Sequence, residues 1–380
     1  VAHTTVRVPI NGSTLRWARE ALHLEPSELA RSAQTSERYV LAFESGDAEP
    51  TFKQLQKMAK KLDRTVAFFF TEAPAKPDVP ETADYRGYSG DPIPPSLARE
   101  LRRVEQHRET VLELDNNVPQ PSLVGMVNRH NAAARAHELR QLLGLHDSFR
   151  PEGPPGNRLL SYWRGLLEQH GFLVFQATRI DLRVFRGLSI YHRTLPIILL
   201  NGADSYNGKV FTLFHEVAHL ANRTSGVCTL DRDISAEAVA NAFAANFLMP
   251  EAYVRATASA SSESPSALAQ KVAHEFKVSD FAAAVRLRVL DLITDEDLDL
   301  IQAGSERRWQ EQREKQKQGK GGPPSWRLRY RDLGPTYVGT VVRALEEERV
   351  DLMDASYLLD VGIPTVHRMV DEYYRTGDRP

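Results

Sequence analysis

The chain holds a single cysteine, Cys228, in 380 residues. One thiol cannot build an internal disulfide framework, and its isolation suits a reducing compartment. Long apolar runs are missing as well. Leu195 to Leu200 is typical of the longest, far short of the roughly 20 residues that a membrane-spanning helix needs. The opening stretch from Val1 to Arg16 is polar and broken by Pro9 and Gly12, which does not read as a signal peptide. Nor is one charge in surplus. The 48 Lys and Arg against 50 Asp and Glu give a formal net charge of -2, so no global positive field draws the molecule to nucleic acid. Any DNA contact must come from a local patch. These absences lead us to expect a cytoplasmic protein without a membrane partner.

What is present is an ordinary globular balance, 42% hydrophobic and 26% charged, in a length that favours two or three compact units. Residues 1–75 read as short helices. Leu15, Ala18 and Leu22 share one face, Leu29 and Ala33 another, and Leu55, Met58, Ala59 and Leu62 a third, with Thr51 as the N-cap of the last helix. Phe68, Phe69 and Phe70 read as a core plug. Prolines recur through 76–95, which reads as a stiff linker, although Tyr85 and Tyr88 hint at packing. Within 96–304 helical patterns at 96–114, 131–143 and 158–170 lead into three short strands, 172–176, 185–191 and 196–200. Asn201-Gly202 then signals a turn. Helices follow at 206–221, 236–249, 266–276 and 279–290. The stretch 305–325 alternates Glu, Arg, Lys and Gln and reads as a solvated helix or flexible linker. Residues 326–380 form a small helical, helix-turn-helix-like module, to which we assign partner docking.

The chemistry concentrates in Phe214-His215-Glu216-Val217-Ala218-His219, an H-E-x-x-H pattern. Residues four apart share a helix face, so His215 and His219 can present both imidazoles to one ion. Zinc accepts neutral histidine nitrogen, and other divalent metals remain open. Glu216 would not bind the ion but would take a proton from the water it activates. The alternative is a chance pattern on a core helix. A catalytic zinc wants a third protein ligand, and Glu237 stands in the first turn of the next helix with Asn241 one turn on. An exposed first-turn glutamate that merely complements the helix dipole is the competing reading.

The run from Asn201 through the histidine pair to Glu237-x-x-Ala240-Asn241-x-Phe243-Ala244-x-x-x-Leu248-Met249-Pro250 resembles the ImmA/IrrE metallopeptidases. Phe276-Lys277-Val278-Ser279, with Val285-Arg286-Leu287 and Leu290, is similar to the helix-turn-helix-like piece that follows the site in that family. The resemblance implies one zinc ion on His215, His219 and Glu237, Glu216 as general base, and a protein substrate, a cognate transcriptional repressor in a stress or mobile-element switch. Strand 196–200, just before the zinc helix, could receive that substrate by strand addition. Tyr206, His192 and Arg223 are nearby candidates for the oxyanion donor, and Cys228 reads as an incidental cysteine rather than a regulatory thiol.

Leu29-Ala30, Ser36, Glu44-Ser45-Gly46 and Pro50 resemble an XRE (lambda-repressor-like) helix-turn-helix, with a second helix from Pro26 and a recognition helix over 36–44. Ser36, Arg38 and Tyr39 are its candidate DNA contacts. The departures are an acidic neighbour, Glu37, Pro26-Ser27 where such proteins often carry glutamine, and ten Lys and Arg against nine Asp and Glu over residues 1–75. A protein-docking role competes with DNA there. The expected fold class is α+β, mostly α: a helix-turn-helix bundle, a zincin-like metallopeptidase domain with a small sheet, and a C-terminal helical module. A homodimer is one option for its assembly. Two other functions compete: a helix-turn-helix regulator or antitoxin-like protein whose zinc site is sensory or structural, and a protease-type toxin effector.

Overall fold

Asn11 accepts hydrogen bonds from the backbone of Ser13 and Thr14 and so starts α1, Gly12–Ala21. A computed structural model describes residues 6–75, 93–146, 148–152, 156–223, 226–228, 234–260, 263–318 and 323–376. They divide into two compact units, 6–75 with 93–106, and 107–376.

In the first unit α2 (Pro26–Ala33), α3 (Glu37–Ser45) and α4 (Phe52–Leu62) follow α1. Thr51 caps α4 in a reciprocal box with Gln54. Leu15, Ala18, Leu22, Leu29, Ala33, Leu55, Met58, Ala59 and Leu62 are all buried, as the helical periodicity predicts. Between α2 and α3 the chain turns in three residues, with Gln34 left-handed and Thr35 N–H donating to Ala30 O at 3.0 Å. The phenylalanine run divides its roles. Phe69 alone is the plug, Phe68 lies against Trp17 and Arg64, and Phe70 is half exposed. The fifth helix, α5 (Pro95–Leu114), begins at the last proline of the expected linker. Arg102 and Arg103 both pair with Asp63 at the end of α4, so the start of α5 packs with the first unit. Tyr85 and Tyr88, and positions 76–92 generally, lie outside the described residues.

In the second unit α6 (Ala132–Leu142) and α7 (Asn157–Gln169) precede β1 (Leu173–Ala177), β2 (Gly187–Ile190) and β3 (Ile197–Asn201). Then come α8 (Tyr206–Ala221), a short β4 (Gly226–Cys228) and α9 (Ile234–Leu248). The sheet order is β1-β3-β2-β4. β1 runs parallel to β3, while β2 is antiparallel to both β3 and β4. Two expectations change here. The sheet has a fourth strand, too short for residue pattern to reveal. And β3 is central, paired on both sides with all five residues buried, so it has no free ladder for strand addition.

After α9 come α10 (Glu251–Ser259), α11 (Pro265–Phe276), α12 (Asp280–Val289) and α13 (Asp295–Gln318). Lys277, left-handed, and Val278, whose N–H donates to Ala273 O, repeat the turn found between α2 and α3. Helix α13 passes through 305, where a linker begins in the sequence reading, so the backbone there is helix as far as Gln318. Among the described residues no helix is long and apolar enough to cross a membrane. The last elements are α14 (Ser325–Leu333), α15 (Pro335–Glu346), α16 (Leu352–Leu359) and α17 (Ile363–Thr376). Asp360, left-handed, and Val361, whose N–H donates to Ser356 O, give the same three-residue turn once more.

Residues 326–376 pack within the second unit. Buried Arg164 on α7 pairs with Glu168 at 2.8 Å and donates to the carbonyls of Val174 on β1 and of Arg331 and Leu333 on α14. Thr336 donates to the other Glu168 oxygen at 2.7 Å. Tyr337 is buried against His107 and Phe175. A buried arginine whose three nitrogens all find acceptors is stable only if both sides stay together.

Candidate metal centre

Two framing devices hold the helices that carry the motif. Phe214 on α8 stacks on Phe247 of α9 at 3.9 Å, and Trp163 of α7 meets both rings edge-on. At the far end of α9, Arg140 donates to Phe247 O, while Arg286 donates to Met249 O and to Asn246 Oδ1. Cations there suit the negative end of the helix dipole. The turn into α8 is organised by buried Asn201. Its Nδ2 donates to Phe185 O at 2.9 Å and its Oδ1 accepts from Ala203 N at 3.0 Å.

With both helices fixed, His215, His219 and Glu237 converge, their ligand atoms all within 4.8 Å of one another. His215 Nε2 is 3.0 Å from His219 Nε2 and 3.2 Å from Glu237 Oε2, and His219 Nε2 is 3.6 Å from Glu237 Oε1. Ligands on a tetrahedral zinc with bonds of 2.0–2.1 Å sit about 3.3 Å apart. The triangle therefore has the dimensions of a zinc face. Its chemistry fits too: two imidazole nitrogens and a carboxylate oxygen, all electron-pair donors, are directed at one point and call for a cation between them. Burial pulls the His215 pKa down, but the Glu237 hydrogen bond, the nearby Glu216 and Glu237 charges and the Asn241 contact together carry it above its ordinary value. Its Nδ1 lies 2.9 Å from Asn241 Oδ1.

Glu216 is fully buried and faces the sheet. A Cβ built on Gly187 of β2 would fall 2.7 Å from Glu216 Oε1 and 2.2 Å from Thr212 Cγ2. Only a glycine lets the strand come that close. Sequence reasoning missed this glycine, and nothing in a lone Gly187 marks it. It also missed Lys209, buried on α8, whose Nζ donates to Gln176 Oε1 at 3.3 Å and Gly202 O at 3.4 Å. Here a signal exists, because Lys209 falls on the same helical face as Leu213, Glu216 and Leu220. Tyr206, offered as an oxyanion donor, lies over Lys209 at the start of α8, about 13 Å along the axis from His215 at 1.5 Å per residue. It is not at the cluster. His192 follows β2, and Arg223 follows α8 in the left-handed conformation. The side chain of Cys228 lies outside the described residues.

The family described as "IrrE N-terminal-like domain" (Peptidase_M78) matches residues 168–288, and "Helix-turn-helix" matches residues 15–69. Over residues 168–288 the chain is similar to the IrrE-like domain of the M78 peptidase family. All four motif residues lie inside it. The matched stretch begins within α7 and ends within α12, so α13 and the C-terminal helices lie beyond it. No curated protein matches the chain. Among solved structures, ComR from Streptococcus suis aligns over 98% of this chain and 96% of its own, at 11% identity and a TM-score of 0.15. A score that low carries no structural argument.

The helix-turn-helix unit presents its own candidates. Ser36 is the N-cap of α3, and Ser36, Arg38 and Tyr39 are all exposed. Glu25 and Glu28 form the capping box of α2 and Glu37 opens α3, so acids flank the positions that would approach phosphate.

Proposed function

We propose that the chain is a zinc-dependent endopeptidase that cleaves a transcriptional regulator in the cytoplasm. The observation that carries the proposal is the convergence of His215, His219 and Glu237 beside a buried Glu216. His215, His219 and Glu237 hold the ion. When bound, zinc supplies Lewis acidity, polarising the scissile carbonyl and making water nucleophilic near neutral pH. Glu216 accepts the proton from the attacking water at a carboxylate oxygen and delivers it to the departing amide nitrogen. Its burial strengthens every electrostatic contact it makes there. A sensory or structural metal site has no use for a general base in this position, which favours hydrolysis over the regulator reading.

The substrate binds extended along β4. In the order β1-β3-β2-β4, β4 is one outer strand. The other, β1, has α14 beside it and Arg164 on its Val174 carbonyl. Among the described residues no strand pairs with the outer side of β4, and an open ladder is what a peptide needs to add a strand. β4 pairs with Gly187, against which Glu216 packs too closely to admit a Cβ, so such a peptide would lie one strand away from Glu216. The fused helix-turn-helix domain supports a DNA-bound regulator as the substrate class.

The test is a proteomic comparison of cells carrying the wild-type chain or Glu216→Gln. We expect the variant to keep its metal and to let one regulator accumulate uncleaved. Equal cleavage by both would dismiss the mechanism. A second role, DNA contact by Ser36, Arg38 and Tyr39, is favoured by their exposure at the start of α3. It predicts a gel shift that weakens only gently with salt, because few cations are available to displace counterions.

A further inference from the structure

We infer that Asn241 is the positioning residue that turns a bare His215 nitrogen toward the ligand cluster, and that its neutrality keeps the metal affinity moderate. The inference rests on reading His215, His219 and Glu237 as a metal site. Asn241 lies one turn beyond Glu237 on α9, and its Oδ1 is 2.9 Å from His215 Nδ1. An acceptor at that point fixes the ring proton on Nδ1. Nε2, which faces Glu237 and His219 at 3.2 and 3.0 Å, is then left with its lone pair for a cation. The opposite amide orientation would offer N–H to Nδ1 and force the ring proton onto Nε2, among the other ligand atoms. That arrangement would close the site to any metal.

Asn246 shows that an asparagine on this helix need not serve the cluster. It accepts from Arg286 and donates to Ala242 O, bracing α9 against α12. Asn241 instead aims at a ligand. The kind of acceptor matters as much as its place. A carboxylate behind a ligating imidazole makes the ring more basic and the metal tighter. An amide orients the ring without that added charge. The cluster therefore has the geometry of a tight site and a neutral support behind one ligand, so that occupancy can follow metal supply.

The experiment is a zinc titration of the full-length, chelator-stripped protein against a chromophoric competitor, for wild type, Asn241→Leu and Asn241→Asp, with Glu237→Ala as the ligand-loss reference. Wild type should take one zinc. Asn241→Leu should bind about 10–100-fold more weakly, and Asn241→Asp should bind about fivefold or more tightly. The gain in the aspartate variant is the decisive arm, since damage to the fold cannot produce it, and it still decides if the leucine variant fails to fold. Leucine binding like wild type, or aspartate binding no tighter, would overturn the role of Asn241 while leaving the metal site intact. A wild type that takes no zinc would overturn the metal site and this inference together.

Discussion

Lys209 offers a sharp test of the packing around α8, the helix that carries His215 and His219. Its ammonium is buried in the first turn of α8, six residues before His215. Burial, helped by the nearby Arg331 charge and opposed by Asp204 and Asp332, lowers its pKa to about 8. An ordinary lysine titrates near ~10.4, and each pH unit of difference is worth about 1.4 kcal/mol. The charged form therefore costs the folded state on the order of 3 kcal/mol. The sign follows from proton counts. Below pH 8 both folded and unfolded chains hold the proton and the penalty is present in full. Between about 8 and 10.5 the unfolded chain holds more protons, so stability rises with pH, and above that window the penalty is gone. Lys209→Met removes the titrating group and gives up two long hydrogen bonds. Urea unfolding of wild type and Lys209→Met at pH 7.5, 8.5, 9.5 and 10.5 reads the difference directly, because the other tyrosines and lysines cancel. We expect the variant to be the more stable at pH 7.5, and wild type to gain about 3 kcal/mol on it by pH 10.5. A difference that stays flat with pH would show that Lys209 reaches solvent, and the packing described for the start of α8 would be wrong.

Other consequences are as direct. Gly187→Ala puts a methyl group into the Thr212 and Glu216 side chains; we expect a stability loss of about 1–3 kcal/mol, near-normal zinc content and a roughly 100-fold slower cleavage from a displaced base, and unchanged cleavage would contradict the close approach of β2. Glu44→Ala strips the buried Arg19 of its two-pronged carboxylate partner, bonded at 2.6 and 2.9 Å, leaving the Leu24 carbonyl and a long contact to Glu20, and should destabilise the helix-turn-helix unit by about 3–5 kcal/mol in thermal unfolding. Ending the chain after Gln318 removes the Arg331 and Leu333 carbonyls that Arg164 serves and the helix beside β1; the shortened protein should aggregate or lose its cooperative transition, whereas a separable C-terminal module would leave the melting curve of the remainder unchanged.

Much of this was legible in residue pattern. Helix α8 runs from Tyr206 to Ala221 as its apolar face and the preceding Asn-Gly turn require, and Thr51 caps α4 through Gln54. What was illegible has physical causes. β4 has three residues, too few to display a period of two. α10 follows Pro250 immediately, and a proline after a long helix reads as a stop although it can equally open the next helix. The assignment of strand addition to β3 failed because pairing depends on what lies on both sides of a strand, and local sequence carries only one side.

The amino-acid order alone determined that His215 and His219 share one helix face, because a four-residue interval on a helix is a geometric statement. It determined the inner faces of the helices for the same reason. Only the tertiary structure decided that Glu237, 18 residues after His219, meets those imidazoles, that a glycine on a distant strand walls in Glu216, and that Asn241 rather than a carboxylate supports His215. Those relations join elements whose separation along the chain says nothing of their separation in space. They are set by where α9 packs on α8, which the whole core of the second unit fixes at once.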